Sequence, residues 1–399
     1  MTHKAYKYRL YPTKEQAVFL DKHSGCCRFI YNHFLALWRD TWKNSKQSIS
    51  GFECKRQLKA LKIEFPWLKE VNSQSLQESV LNLEKSYRRF FRGLSKYPVF
   101  KKKRNRQGFT VPQNFEIEDE HLYIPKLETG IKIKLHRSMS GIPKSLTISK
   151  TSTGRYFASI TCETVIEKLP LVEQSVGVDI GLTAFATLST GEKVEHPRML
   201  KASEKHLKKL QCQMSKKKKG SHNRAKACLR VAILHEKIAN QRNDFLHKLS
   251  FRLINENQVI CLEDLNVKGM IKNSHLSKAI SDSGWGEFVR QTKYKAEWYG
   301  RTVKQIPMFY PSSKECSVCH FVNSSLELSD RTWTCPNCGI VHDRDENASN
   351  VILKVGQDMP ELTPVERMAA VTSIMSMKQV NLKKQETLAS NKMHGILIP

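Results

Sequence analysis

Along the first ninety residues, apolar positions recur at steps of three and four. Ala5–Leu10 is a short strand candidate, and Thr13-Lys14-Glu15-Gln16 then has the form of a capping box that starts a helix through Gln16–Leu20. Phe29, Ile30, Phe34, Leu37 and Trp38 keep helical spacing, and Leu76, Val80, Leu83, Tyr87 and Phe90 predict a further helix over 73–92. Residues 12–95 therefore form a helical unit. The pattern then changes to short alternating stretches, Ile131–Leu135, Leu146–Ile148 and Tyr156–Thr161, punctuated by Gly and Pro. This predicts a small β unit, a barrel, built from 1–11 and 96–172, into which the helical unit is inserted.

A second domain is expected from about residue 173. Val176–Ile180 and Ala184–Leu188 are strands, 201–250 is helical, and Val259–Leu262 is a buried strand. A helix follows over 283–299, with Trp285, Phe288, Val289, Ala296 and Tyr299 on one face, and then a strand at Val303–Ile306. The fold class is α+β and multidomain, with an α/β domain over 173–310 and 341–355 interrupted by a cysteine-bearing segment, 311–340. Beyond it the periodicity fades, and 356–399 is expected to be a poorly ordered tail.

Charge narrows the partners. The 399 residues carry 66 Lys and Arg against 38 acidic residues, a formal charge of +28. Such a surface repels itself unless a polyanion covers it, which points to nucleic acid. The basic side chains concentrate in Lys101–Arg106 and in 201–250, where 14 Lys and Arg face three acids. No apolar run approaches the ~18 residues of a membrane span, and the opening MTHKAYKYRL lacks the apolar core of a secretory signal. No membrane partner is expected, and the odd count of 11 cysteines suits a reducing cytoplasm better than a disulfide framework.

Four of those cysteines form one pattern. Cys316-x2-Cys319 and Cys335-x2-Cys338 are two knuckles, each aiming two sulfurs at one point, with a gap between them long enough for a hairpin. A structural zinc ion bound by all four thiolates is the expected occupant, against a redox pair or chance. Pro336, Asn337 and Gly339 supply turn chemistry, and His320 is a bystander.

Three acidic residues stand in unusual settings. In Val176–Gly181, strand alternation puts Gly177, Asp179 and Gly181 on one face, which leaves room for a metal and a substrate backbone beside the carboxylate. A solvated strand residue is an equal alternative from this segment alone. Glu263 ends the strand Val259–Leu262, where a site residue or a solubilising acid is expected, and Asp264 follows it. In His342–Ala348, Asp343 and Glu346 suit a helix N-cap and its reciprocal partner, which leaves Asp345 for chemistry. Three carboxylates brought together need cations to stay ionised, and two Mg²⁺ ions would give them phosphodiester hydrolysis to do.

Taken together, Gly177–Gly181, Leu262-Glu263-Asp264-Leu265, the cysteine knuckles and Asp343–Asn347 resemble the RuvC-like core of TnpB proteins, transposon-encoded relatives of type V CRISPR effectors. Arg242–Lys248, Ser281–Gly286, Arg28–Asn32 and Asn82-Leu83-Glu84 also resemble that family, and the likeness covers roughly residues 4–354. It implies an RNase H-like (RuvC) nuclease domain with an inserted zinc ribbon, preceded by a wedge-like β-barrel with a helical recognition insert. It further implies an RNA-guided DNA endonuclease, with a guide RNA and target double-stranded DNA as partners and Asp179, Glu263 and Asp345 as the catalytic, Mg²⁺-binding set. The protein would read a short motif beside the target while the RNA reads the rest. Gln77, off the apolar stripe of 73–92, is a candidate for adenine contact. A transposase that joins DNA ends and a zinc-ribbon regulator are the rival readings.

Overall fold

The computed structural model describes residues 1–104, 107–327 and 329–359, so Asn105 and Arg106 of the basic loop and the expected tail from 360 onward lie outside the described residues. The chain divides into two compact units, meeting between Val165 and Ile166.

The first unit opens with β1 (Thr2–Tyr11), followed by α1 (Lys14–Ser45), α2 (Gly51–Glu64) and α3 (Ser73–Phe91). The capping box at α1 is formed: the Thr13 hydroxyl accepts from the Gln16 N–H, and the Gln16 side chain accepts from the Thr13 N–H. Six strands follow: β2 (Gln107–Val111), β3 (Glu116–Glu118), β4 (His121–Ile124), β5 (Leu127–Lys134), β6 (Ile142–Lys150) and β7 (Tyr156–Thr164). β1 pairs antiparallel with both β5 and β7, so the strand before the helices lies inside the sheet built after them. The helices are thus an excursion between strands of one sheet.

The sheet order is β2-β6-β7-β1-β5-β4-β3, and among the described residues no pairing joins β2 to β3. The small β-barrel expected is an open half-barrel among the described residues. β3 is too short to close the sheet and presents Glu116 and Glu118 at its edge, where charge blocks further pairing. Tyr8, Leu10, Ile131, Ile148 and Ile160 form its core with Ile30, Phe34, Leu76 and Leu83 of the helices.

The second unit holds a mixed sheet, ordered β10-β9-β8-β11-β12. Its strands are β8 (Ser175–Ile180), β9 (Ala184–Leu188), β10 (Lys193–Glu195), β11 (Val259–Glu263) and β12 (Thr302–Ile306). β8, β9 and β10 are successively antiparallel, whereas β11 runs parallel to both β8 and β12. The helices are α4 (Met199–Ser215), α5 (His222–Glu256), α6 (Val267–Met270), α7 (Ser277–Ser283), α8 (Trp285–Tyr299) and α9 (Arg344–Asp358). The expected helix over 283–299 starts at Trp285, because Gly284 sits in the left-handed region at φ 71° and separates it from α7.

Alternation decides what each sheet face meets. Val176, Val178, Ile180, Ile260 and Leu262 pack into a core with Leu246, Leu249 and Leu253 of α5 and Trp285 and Phe288 of α8. Cys261 points to the other side, into a smaller core with Ile306 and Ile352. There α9 packs on β8 and β11.

Candidate metal and nucleic-acid sites

Asp179 and Glu263 stand on neighbouring parallel strands. The register pairs Leu262 with Val178, so the two acids occupy the next positions on β11 and β8. Burial, then the negative charges of Glu263 and Asp345, push the Asp179 carboxyl up to about 8. Asp179 thus feels the charges of both other acids, although the oxygens of the three do not all lie within 4.8 Å of one another. Burial also raises the Glu263 carboxyl, opposed by a hydrogen bond donated by the Ser312 hydroxyl. Asp345, half-buried in the first turn of α9, has the Arg331 guanidinium 3.7 Å away. Asp264 is exposed.

The helix cap separates Asp343 from this trio. Asp343 ends the short strand β14 (Val341–Asp343), which pairs with β13 (Thr332–Thr334). Its Oδ1 accepts from the N–H groups of Asp345 and Glu346 at 3.1 and 3.0 Å, and its Oδ2 accepts from Lys193 Nζ at 2.7 Å. Burial opposes ionisation here, but the Lys193 hydrogen bond and the cap N–H groups hold the carboxyl below its usual range.

One expectation for Asp179 is corrected. Gly177 does not leave its face open to substrate. A Cβ there would overlap the Ser349 carbonyl oxygen and stand 2.7 Å from the Leu353 nitrogen, both in α9. The missing side chain admits the helix that carries Asp345. Gly356 plays the same part against the Cys261 side chain.

The four cysteines converge. Their sulfurs all lie within 4.8 Å of one another, the only such set of three or more metal-binding side chains among the described residues. Cys316 and Cys338 are 3.7 Å apart, and Cys319 and Cys335 are 3.5 Å apart. A tetrahedral zinc with Zn–S bonds of about 2.3 Å has edges of roughly 3.8 Å, so the cluster is compatible with a zinc site. Hydrogen bonds from the Asn337 side chain and the backbone at Phe321 lower the Cys319 thiol, while Cys338, against the Ile340 backbone hydrogen bond, is raised by burial and its sulfur neighbours, so the protons are shared within the cluster. Gly339 takes the left-handed conformation at φ 72° that the second knuckle's turn requires.

Sequence reasoning passed over His342. It is buried, its ring lies 5.0 Å from that of its cross-strand partner Trp333 at a tilt of 39°, and its Nε2 is 3.1 Å from Cys316 Sγ. Alternation along β14 was the available signal. His320 instead bonds Glu315 at 2.7 Å, apart from the sulfurs.

Basic side chains divide between surface and scaffold. In the first unit a recess of about 970 Å³ is lined by Lys7, Lys22, Arg28, Lys103, Arg104 and Lys150 among others. Gln77 is exposed on α3. In the second unit Lys216–Lys219 are exposed, but Arg224 pins the turn between α4 and α5 through the Met214 and Lys217 carbonyls, both at 3.0 Å. Arg242 donates to the Ser281 carbonyl at 3.0 Å. Among the described residues no helix is long and apolar enough to cross a membrane.

The chain is similar to known proteins. A family profile described as a probable transposase (OrfB_IS605) matches residues 159–274, and a Cas12f1-like TNB domain profile matches 285–352. A profile described as a helix-turn-helix domain matches 1–47, where this chain has one strand and one long helix. A Streptomyces pristinaespiralis protein, provisionally named an RNA-guided DNA endonuclease, is 39% identical over 359 residues, 88% of this chain and 89% of that protein. InsQ of Escherichia coli K12, provisionally named likewise, is 32% identical over 372 residues, 88% and 92% of the two chains. A chain of the Cas12f1–sgRNA–target DNA complex shares the fold at a TM-score of 0.56 and 12% identity, covering 85% of this chain and 82% of that one.

Proposed function

Because the chain belongs to the TnpB-like, OrfB_IS605 family, we propose that it is an RNA-guided DNA endonuclease of transposon origin whose nuclease centre is Asp179, Glu263 and Asp345. The observation that carries the centre is the placement of Asp179 and Glu263 at neighbouring positions of parallel strands β8 and β11, with Asp345 opening the helix packed on them; burial, and then the charges of Glu263 and Asp345, raise the Asp179 carboxyl to about 8. Three carboxylates within electrostatic reach of one another would suit hard divalent cations, and two Mg²⁺ ions are the occupants we infer. When bound, the metal supplies an activated water and charge stabilisation for phosphodiester hydrolysis. The mixed sheet with α9 on one face and α5 and α8 on the other supports the RNase H-like reading.

The remaining groups bind and orient. Exposed lysines at 216–219 and the basic side chains around the first unit's recess supply phosphate contacts, which give affinity without sequence. Base pairing by a guide RNA supplies the sequence, and the protein reads a short flanking motif. The cysteine set holds a structural zinc, since its four ligand positions leave none for substrate. The half-barrel with its helical insert forms the wedge and recognition parts, and the cytoplasm is the expected compartment.

The test is to sequence the RNA that co-purifies with the protein, reprogram its guide segment, and assay cleavage of matched DNA with randomised flanks in Mg²⁺. Cleavage that follows the guide supports the proposal. Joining of DNA ends without guide dependence would replace it with the strand-transfer reading.

A further inference from the structure

The cysteine ribbon touches two acids of the proposed centre, and a third contact ties it to the helix that carries Asp345. Asn347, buried on α9 two residues beyond Asp345, straddles the first knuckle. Its Oδ1 accepts from the Ser317 N–H at 2.8 Å and its Nδ2 donates to the Glu315 carbonyl at 2.6 Å, so one amide brackets Cys316. The buried Ser312 hydroxyl, just before that knuckle, donates to Glu263 Oε1. Arg331, at the foot of β13, faces Asp345. Two acids on different elements are thus each fixed to one small segment, and the cysteines set that segment's own shape.

Like charges drift apart unless the scaffold holds them. α9 packs directly on β11, and a path through Ser312, the knuckle and Asn347 adds a second tie between Glu263 and the turn of α9 that carries Asp345. We propose that the zinc-filled ribbon sets the spacing of Glu263 and Asp345, and so the divalent-cation affinity of the centre, with Ser312 and Asn347 as the positioning residues. The inference rests on reading the three carboxylates as a cation site.

Mn²⁺ titrated into the full-length, zinc-loaded protein and followed by electron paramagnetic resonance reads the affinity directly, without nucleic acid. Asn347→Ala and Ser312→Ala should keep about one zinc per chain yet bind Mn²⁺ about tenfold or more weakly, as loss of an outer-shell partner does. Asn347→Asp keeps the acceptor and loses the donor, and should fall between. Unchanged Mn²⁺ affinity in zinc-replete Ser312→Ala and Asn347→Ala overturns the inference. If Asn347→Ala sheds its zinc, Ser312→Ala, outside both knuckles, decides alone. Mn²⁺ binding that survives Asp179→Asn is a separate outcome, and it overturns the reading of the centre itself.

Discussion

Gly177 and Ser349 meet backbone to backbone: the carbonyl oxygen of Ser349 occupies the place where a β-carbon on Gly177 would project. Strand β8 and helix α9 therefore approach as closely as a chain permits, and Asp179 and Asp345 ride on the two partners. Gly177→Ala should cost about 1–3 kcal/mol, as forced overpacking does. It should also weaken cleavage, since α9 has to shift with its carboxylate. Urea melts beside cleavage rates check this, and a variant with wild-type stability would remove the close-packing argument.

Asp179→Ala, Glu263→Ala and Asp345→Ala should each abolish DNA cleavage while leaving guide and target binding nearly intact. Affinity resides in basic side chains and base pairing, and loss of a carboxylate lessens repulsion of phosphate. Asp343→Ala is the contrast. It removes a cap and the Lys193 ion pair, so it should cost ~0.5–2 kcal/mol and impair cleavage without ending it. Filter binding and Mg²⁺ cleavage assays on all four variants decide, and a dead Asp343→Ala beside a live Asp345→Ala would reverse the two roles.

The cysteine site was legible from spacing alone, because Cys-x2-Cys fixes its own local geometry. The amphipathic helices α1 and α3 were legible for the same reason: burial imposes a period on them. Partners across the fold were not. Asn347, Ser312 and His342 look like ordinary polar residues until their neighbours are known, though the small buried run Asn347-Ala348-Ser349 hints at a close-packed helix face. The face of Asp179 was misjudged because a glycine that admits substrate and one that admits a helix are the same letter.

Purified protein should contain about one zinc per chain, and Cys335→Ser should lower both zinc content and soluble yield. Elemental analysis of active protein checks the stoichiometry. Full activity in zinc-free protein would discard the structural-zinc proposal.

His23 predicts an acid limit to the first unit's stability. Its ring is fully buried and stacked 3.8 Å from Phe109, with no hydrogen-bond partner for either nitrogen among the described residues. Burial pushes its value down from 6.5 to about 3. The unfolded chain thus takes up the proton first, so stability is whole above pH 6.5 and declines as pH falls toward 3, by at most about 3–5 kcal/mol. His23→Phe should flatten the fall in melting temperature between pH 6.5 and 4. An equally steep fall in that variant would assign the acid sensitivity elsewhere.

Asp345 follows the ribbon in the chain, whereas Asp179, Glu263 and the basic segments precede it. The ribosome therefore releases every phosphate-gripping side chain named above, and two of the three proposed catalytic acids, before the last acid emerges. If the proposed centre is right, a chain ended before α9 should retain the basic segments for binding yet lack the acid needed for cutting, which gel-shift and cleavage assays on that truncation would check.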